Sequence, residues 1–170
     1  FASTVQDEGK LLRGLGLLTA KPFLFVANVL EGDVTAVPTP GAGGLLGELA
    51  TVAHERNAEV VVISGVVEAE IAQLAEEERA AFIAELGLES SGLDRLAIKG
   101  YNLLNLITFF TIGPKEAHAW TCHSSDTAVD AAGVIHTDFA KGFIRAEVIA
   151  YQDYVSCGGE VGAREKGVLR

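Results

Sequence analysis

The sequence contains no methionine, and it has only two cysteines and one tryptophan. The lack of methionine fits a piece of a longer protein. The two cysteines, Cys122 and Cys157, stand alone without a Cys-x-x-Cys pair. This argues against a disulfide framework and favours a reducing compartment, so we expect a cytoplasmic location.

Long apolar segments are missing as well. The longest runs, Phe23 to Val29 and Leu103 to Phe110, are far shorter than the roughly 20 residues of a membrane-spanning helix, so we expect no membrane association. The first residues lack the basic start and apolar stretch of a signal peptide. An apolar content of 49% over 170 residues nevertheless predicts a packed core, in one ordinary domain or two small ones.

Positive charge is scarce, because 13 basic residues face 23 acidic residues and the net charge is −10. Most of the acidic residues lie in the first part of the chain. An acidic field repels a phosphate backbone, so charge does not support non-specific nucleic-acid binding, although a local basic face stays open.

Two apolar segments around a helical pattern predict a βαβ unit. Phe23–Val29 and Glu59–Ser64 have the composition of strands buried on both faces of a sheet, and Leu45–Arg56 has apolar residues at helical spacing. Such a unit places both strands in parallel in one sheet. The first part of the chain is therefore predicted to be an α/β fragment.

Helices are predicted to follow. The acid-rich stretch Glu68–Leu86 indicates two short helices or one bent helix with a solvated acidic face, and Leu93–Leu104 continues a helical pattern.

A small α+β domain is predicted next, starting near residues 102–105. Leu106–Ile112 is rich in β-branched and aromatic residues, which favour a strand, and a Gly-Pro turn follows it. The remaining predicted elements are a short element over Ala117–Thr121, a helix over Thr127–Ala132 that Gly133 stops, and a strand over Gly142–Ile149.

No phosphate-binding loop of the form Gly-x-x-x-x-Gly-Lys-[Ser/Thr] occurs in the sequence. Without its backbone amides, lysine and hydroxyl, phosphoryl transfer lacks its main positioning groups, so we expect this chain alone not to hydrolyse nucleotides. The glycine-rich stretch Gly41–Gly47 could bind a dinucleotide, but about ten residues separate it from the preceding strand. An ordinary loop and helix start is the favoured interpretation.

Asn28-Val29-Leu30-Glu31 follows the first predicted strand, where open α/β sheets bind ligands. An Asn amide can donate to and accept from a purine edge. Many GTPases have Asn-Lys-x-Asp at this place, and the Val and Glu found here weaken guanine selectivity and make adenine plausible. Ser64-Gly65, at the end of the second strand, would present a second loop to the same base. The alternative is that Asn28 only caps the strand end.

The other candidate sites are weaker. Four possible zinc ligands have irregular spacing, so lone thiols are favoured; they are Cys122, His123, His136 and Cys157. His136 and Asp138 could form a catalytic pair, but no nucleophile motif accompanies them, and a turn with a side-chain hydrogen bond is favoured. Trp120 is predicted to pack a core, with an RNA-stacking face as the alternative.

Several longer motifs resemble the YchF, or Obg-like ATPase, family. The first are Leu17–Pro22 and Ala27–Glu31. Beyond residue 100 the similarity to that family's TGS domain is almost word for word, over Tyr101–Glu116, Ala119–Thr121, Ala131–Phe139 and Lys141–Glu147.

The resemblance implies a fold class: the C-terminal part of a P-loop G domain, with a parallel sheet and helices, followed by a β-grasp TGS domain. It implies that residues 1–20 are the returning arm of a helical insertion, residues 21–101 the G-domain part and residues 102–170 the TGS domain. The family's phosphate loop and Mg²⁺ ligands would precede residue 1. Its β-grasp normally continues past Arg170 with a final strand, so we expect an unpaired edge and self-association.

The resemblance also implies function. The family consists of cytoplasmic, ribosome-associated NTPases, and its Asn-x-x-Glu motif underlies a preference for ATP. This implies an adenine site made by Asn28, Val29 and Glu31, together with Ser64 and Gly65. ATP would make only base contacts in this chain, with the ribosome as a partner. A TGS module that binds the ribosome or RNA without a nucleotide is the alternative.

Overall fold

The computed structural model describes residues 14–18, 21–113 and 115–170. The chain divides into two compact units, which meet in the sequence between Leu106 and Ile107. The predicted assignment of residues 1–20, 21–101 and 102–170 to an insertion arm, a G-domain part and a TGS domain stays a prediction. Most of the predicted arm lies outside the described residues.

Within its described residues, the first unit contains a parallel βαβ unit followed by three helices. Its elements are β1 Phe25–Asn28, a 3-10 turn Glu31–Asp33, α1 Gly44–Glu55, β2 Val60–Ile63, α2 Gly65–Gln73, α3 Glu76–Glu85 and α4 Gly92–Leu103. The two strands pair in parallel, with Phe25 opposite Val60 and Asn28 opposite Ile63. The predicted βαβ unit is therefore confirmed, and the acid-rich stretch forms two helices.

The prediction that both strands are buried on both faces is wrong for β1. Val61 and Val62 of β2 are buried, but β1 alternates between half-buried and exposed residues, and Val26 is 44% exposed. The physical reason is cover by helices: α4 and α1 pack against β2, whereas β1 contacts mainly β2 among the described elements.

Helix α4 is tied to β2 by side chains as well as by packing. The Arg95 guanidinium donates from Nη2 to the Val62 carbonyl over 2.9 Å, and Lys99 forms an ion pair with Glu59. The helix begins where Ser91 Oγ accepts from the Asp94 amide over 3.0 Å, which satisfies one of its free N–H groups. These contacts fix the start of α4 beside the sheet.

The second unit consists of a strand pair and four short helices. Its elements are β3 Leu106–Ile112, β4 Ala117–His123, α5 Ala128–Ile135, α6 Thr137–Lys141, α7 Tyr151–Ser156 and α8 Glu160–Glu165. The paired strands β3 and β4 are only four residues apart, and such a short connection makes an antiparallel hairpin. The predicted α+β character of this region is confirmed.

The prediction that Gly133 ends the helix is wrong. Helix α5 starts as predicted, beyond a capping box between Thr127 and Asp130, but it continues through Gly133 to Ile135. A Cβ atom on Gly133 would lie 3.4 Å from the Cβ of Ala140 in α6. The glycine therefore allows two helices to approach closely and does not end the first.

The strand predicted over Gly142–Ile149 is also absent from the described structure. Helix α6 occupies the residues before it, and Gly142 caps that helix. The segment 143–150 has no regular secondary structure, and Ile144 is 90% exposed. Val148 alone makes a strand-like contact: it exchanges two backbone hydrogen bonds with Arg170, of 2.8 and 3.0 Å. A short apolar alternation cannot form a strand where pairing groups are available at only one position.

Candidate base-recognition site

The parallel register brings the two predicted loops together. Asn28 is the last residue of β1 and lies opposite Ile63, the last residue of β2. The ladder continues one step further, because the Val29 amide donates to the Ile63 carbonyl over 2.8 Å. Ser64 and Gly65 therefore begin at the same sheet edge at which Asn28 and Val29 end.

A direct hydrogen bond joins these loops. The Gly65 amide donates to Asn28 Oδ1 over 2.9 Å. A Cβ atom on Gly65 would lie only 3.5 Å from that oxygen and 3.9 Å from Nδ2, so Gly65 lies against the Asn28 amide. Because the amide oxygen is engaged, the orientation of the side chain is set by its partner, and the Nδ2 donor is the group that Asn28 can offer to a ligand.

Ser64 is fully buried, unlike its exposed neighbour Gly65. Its Oγ atom has no hydrogen-bond partner among the described residues, and it does not cap α2, although Ser64 is the residue at the N-cap position. Burial of a hydroxyl without a hydrogen-bond partner costs free energy. Packing alone therefore does not explain the buried Ser64 hydroxyl.

Glu31 is exposed and begins the 3-10 turn that follows β1. Its carbonyl accepts from the Val34 amide over 3.2 Å, and Val34 is buried, which anchors the turn. Leu30, just before it, is 79% exposed. The structure thus gathers Asn28, Val29, Ser64 and Gly65 into one group of contacts, and Glu31 stands beside that group.

Glu68 was not identified as a candidate site residue from the sequence, because it belongs to the acidic stretch that was predicted to form a solvated helix face. It is only 8% exposed, and its carboxylate accepts from the Gly92 amide over 2.6 Å and from the Leu93 amide over 3.3 Å. One sequence signal could have found it. Glu68 lies beside Val67 and three residues before Ile71, which is the buried face of a helix.

The glycine-rich stretch Gly41–Gly47 has a packing explanation. Helix α1 begins at Gly44, and a Cβ atom on Gly47 would lie 1.9 Å from the Ala42 carbonyl oxygen. The loop is held by Thr51, whose Oγ1 accepts from the Gly41 amide over 3.1 Å. The close contact accounts for Gly47, and positive φ angles of 79° and 83° account for Gly41 and Gly44.

The weaker candidates in the second unit make local contacts. The described residues contain no group of three or more side chains that could hold a metal ion. His136 Nδ1 accepts from the Asp138 amide over 3.2 Å, so the predicted turn with a side-chain hydrogen bond is confirmed. Trp120 is half-buried and donates from Nε1 to Thr111 Oγ1 over 2.9 Å. Among the described helices, none is long and apolar enough to cross a membrane.

A parallel βαβ unit with polar groups gathered at its strand ends defines an α/β protein. Ligands of open α/β sheets generally bind at this edge. A family model described as YchF-GTPase_C, protein of unknown function (DUF933), matches residues 106–170. The chain is 44% identical over 165 residues to the ribosome-binding ATPase YchF of Bacillus subtilis, and 45% identical over 164 residues to that of Escherichia coli O157:H7. The chain carries a YchF-GTPase_C domain over residues 106–170, and its matches are consistent with a fragment of a YchF protein.

The structural comparison agrees over most of the chain. The Schizosaccharomyces pombe YchF GTPase superposes with a TM-score of 0.78 at 32% identity, over 95% of this chain and 42% of that one. The two bacterial matches cover 97% and 96% of this chain but only 44% of each relative. The chain therefore spans less than half the length of these relatives.

Proposed function

We propose that this chain supplies the base-recognition part of an ATP-preferring, ribosome-associated nucleotide-binding protein of the cytoplasm. In this proposal the first unit is the C-terminal part of a P-loop G domain and the second is a β-grasp TGS domain. ATP binding and hydrolysis belong to the whole protein, with a phosphate loop and Mg²⁺ ligands that are not among these residues. The observation that carries the proposal is the Gly65–Asn28 hydrogen bond at the ends of two parallel strands.

The residues fit a purine base by their chemistry. The Asn28 Nδ2 donor would serve a ring acceptor such as N7, which adenine and guanine share. Discrimination would then rest on the length and position of the exposed Glu31 side chain, because a carboxylate can accept hydrogen bonds from either purine. The exocyclic amino group of adenine is a donor that such a carboxylate can bind. Exposed Leu30 and Val66 flank the two loops and offer apolar surface for the ring.

The names of the relatives differ on the nucleotide. The Bacillus subtilis and Escherichia coli proteins are named ATPases, whereas the Schizosaccharomyces pombe protein is named a GTPase. The proposal of adenine rests on Asn28, Val29 and Glu31 in place of a guanine-selective Asn-Lys-x-Asp motif. It predicts that Glu31→Asp shifts preference toward guanine.

A nucleoside titration tests the base site without phosphates. In spectra of the isotope-labelled chain, adenosine at millimolar concentration should shift the amide signal of Gly65 and the side-chain signal of Asn28, and guanosine should shift them less. Asn28→Asp keeps an acceptor for Gly65 but loses the Nδ2 donor, and it should abolish the effect. Equal shifts by both nucleosides would contradict the adenine assignment.

Hydrolysis is tested in a protein that contains a phosphate loop. The chain can replace the matching 44% of the Bacillus subtilis relative, and ATP and GTP turnover are then measured side by side. Faster ATP turnover supports the proposal. Faster GTP turnover rejects it.

A second candidate function concerns the second unit alone: a module that binds the ribosome or RNA without a nucleotide. It is favoured by the match of the family model, which covers only residues 106–170. It also draws on the aromatic pair His118 and Trp120, whose ring centroids are 4.3 Å apart. Co-sedimentation of the chain with ribosomes distinguishes the two: a module of this kind is retained equally with and without ATP, and equally after Asn28→Asp.

A further inference from the structure

Glu68 lies between helix α4 and the loop formed by Ser64 and Gly65, which we call the base loop. Its own amide donates to the Ser64 carbonyl over 2.9 Å, which forms the first turn of α2 directly after the loop. Its carboxylate reaches in the other direction and accepts from Gly92 and Leu93, the first two residues of α4. One residue therefore connects the loop that carries Gly65 to the start of a helix 24 positions further along the chain.

Few other hydrogen bonds hold the base loop on the side of α2. The hydroxyl of Ser64 does not cap α2, and it makes no hydrogen bond among the described residues. The loop is held at one end by the β1–β2 ladder and at the other by the Glu68 turn. We infer that Glu68 is a positioning residue, which aims the Gly65 amide at Asn28 by fixing the first turn of α2 against α4.

The chemistry explains why a carboxylate occupies this place. Both contacts come from N–H donors at a helix start, and an ionised carboxylate accepts from both and interacts favourably with the helix dipole. A glutamine amide would direct N–H groups at one of these donors. A buried negative charge is tolerated only when N–H donors such as these satisfy it. The two amides therefore favour the carboxylate of Glu over a neutral side chain.

The surrounding residues are fitted to this carboxylate. A Cβ atom on Gly92 would lie 2.7 Å from Glu68 Oε1 and 2.8 Å from Ile63 Cγ2, so a larger residue cannot stand there without displacing them. Ile63 is the residue that precedes the loop. Glu68, Gly92 and the end of β2 therefore form one tightly fitted group beneath the base loop.

This inference rests on the proposed function, since it assigns a role within the same site. The test compares three variants of the whole chain for adenosine affinity and for hydrogen exchange at the Gly65 amide. Glu68→Gln should weaken adenosine binding and speed Gly65 exchange, each by about tenfold, as expected from one lost hydrogen bond to a charged group. Circular dichroism confirms that each variant is folded.

Two controls separate positioning from general destabilisation. Glu70→Gln removes the same charge from an exposed place on the same helix, and Thr51→Val removes the acceptor of the Gly41 amide in the loop before α1. Both should leave Gly65 exchange and adenosine affinity unchanged. An equal loss in Thr51→Val, or no change in Glu68→Gln, overturns the inference.

The outcome also distinguishes failure of the inference from failure of the base site. If the unmodified chain does not bind adenosine, the base site falls, and Gly65 exchange still decides whether Glu68 positions the loop. Should Glu68→Gln not fold, Glu68→Asp takes its place: it keeps the charge but shortens the reach to Gly92. Wild-type Gly65 exchange in Glu68→Asp would overturn the inference.

Discussion

The Gly65 amide donates to Asn28 Oδ1 over 2.9 Å, which joins the end of one strand to the loop that follows the next. Because the two strands are parallel and in register at Asn28 and Ile63, this bond spans residues 37 positions apart in the sequence. It has a structural consequence that does not depend on any ligand.

Two substitutions at Asn28 separate that consequence from ligand binding. Asn28→Ala removes the acceptor and should lower the free energy of unfolding by about 1 kcal/mol, the usual net value of one hydrogen bond. Asn28→Asp keeps an acceptor and should stay within about 0.5 kcal/mol of the unmodified chain. Urea unfolding measures both. Equal stability of the two variants would show that the Gly65 bond does not stabilise the fold.

Two glycines of helix α4 should respond in opposite directions to alanine. Gly92→Ala places a methyl group against Glu68 and Ile63 and should destabilise the chain by about 1–3 kcal/mol, because the site has no room for it. At Gly100 no atom lies within 4 Å of the added carbon, so Gly100→Ala should stabilise by up to about 1 kcal/mol. Thermal unfolding measures the difference, and a change of the same sign at both sites would contradict it.

The hydrogen bond from Trp120 to Thr111 offers a similar comparison in the second unit. Thr111→Val keeps the shape of the side chain but removes the acceptor of the indole N–H, and it should cost about 1 kcal/mol. Thr108→Val makes the same change at an exposed position of the same strand and should have little effect. Tryptophan fluorescence reports both unfolding and the environment of the indole, which should change only in Thr111→Val.

The capping box of helix α5 should be sensitive to acid. Hydrogen bonds from the Thr127 side chain and backbone hold the pKa of the Asp130 carboxyl below its ordinary value. A lowered folded pKa stabilises the helix above the ordinary value, and this contribution is lost as the pH falls through the folded pKa. The difference in melting temperature between the unmodified chain and Asp130→Asn should therefore be present at neutral pH and vanish in acid. A difference that persists unchanged in acid would contradict the pairing.

We expect the chain to self-associate through the exposed strands of the β3–β4 pair. Among the described residues, β3 and β4 pair only with each other, and Ile107 and Ile112 of β3 are 47% and 53% exposed. An exposed apolar edge invites pairing between copies, and a lysine on it prevents such pairing. We expect size-exclusion chromatography to show oligomers that Ile112→Lys reduces. A monomer at every concentration tested would contradict this.

Sequence patterns predicted the first unit well where hydrophobic spacing was decisive. The alternation of strand, helix and strand fixed the parallel pairing, and that pairing alone placed Asn28 beside Ser64 and Gly65. The predictions were wrong where contacts between elements decide. Helix α5 runs through Gly133, which lies close to Ala140 of α6, and the apolar segment before Ile149 forms no strand because a pairing partner is present only at Val148.

Glu68 shows the same limit within the candidate site. Charge patterning treats a run of acids as one solvated surface, yet this carboxylate is buried because two amides of a later helix satisfy it. Neither Gly92 nor Leu93 can be identified as its partner from local spacing. The base role of Asn28, Val29, Glu31, Ser64 and Gly65 stays a proposal that the nucleoside titration addresses.

The attachment of helix α4 to β2 determines the order in which parts of the first unit unfold locally. Arg95 and Lys99 tie this helix to β2, and Glu68 ties it to α2, whereas α3 contains no buried residue. Amides of α3 should therefore exchange with solvent through small local fluctuations, while those of α4 and β2 exchange together in a rarer event. The base loop, placed between β2 and α2, would then be among the last parts of this unit to open.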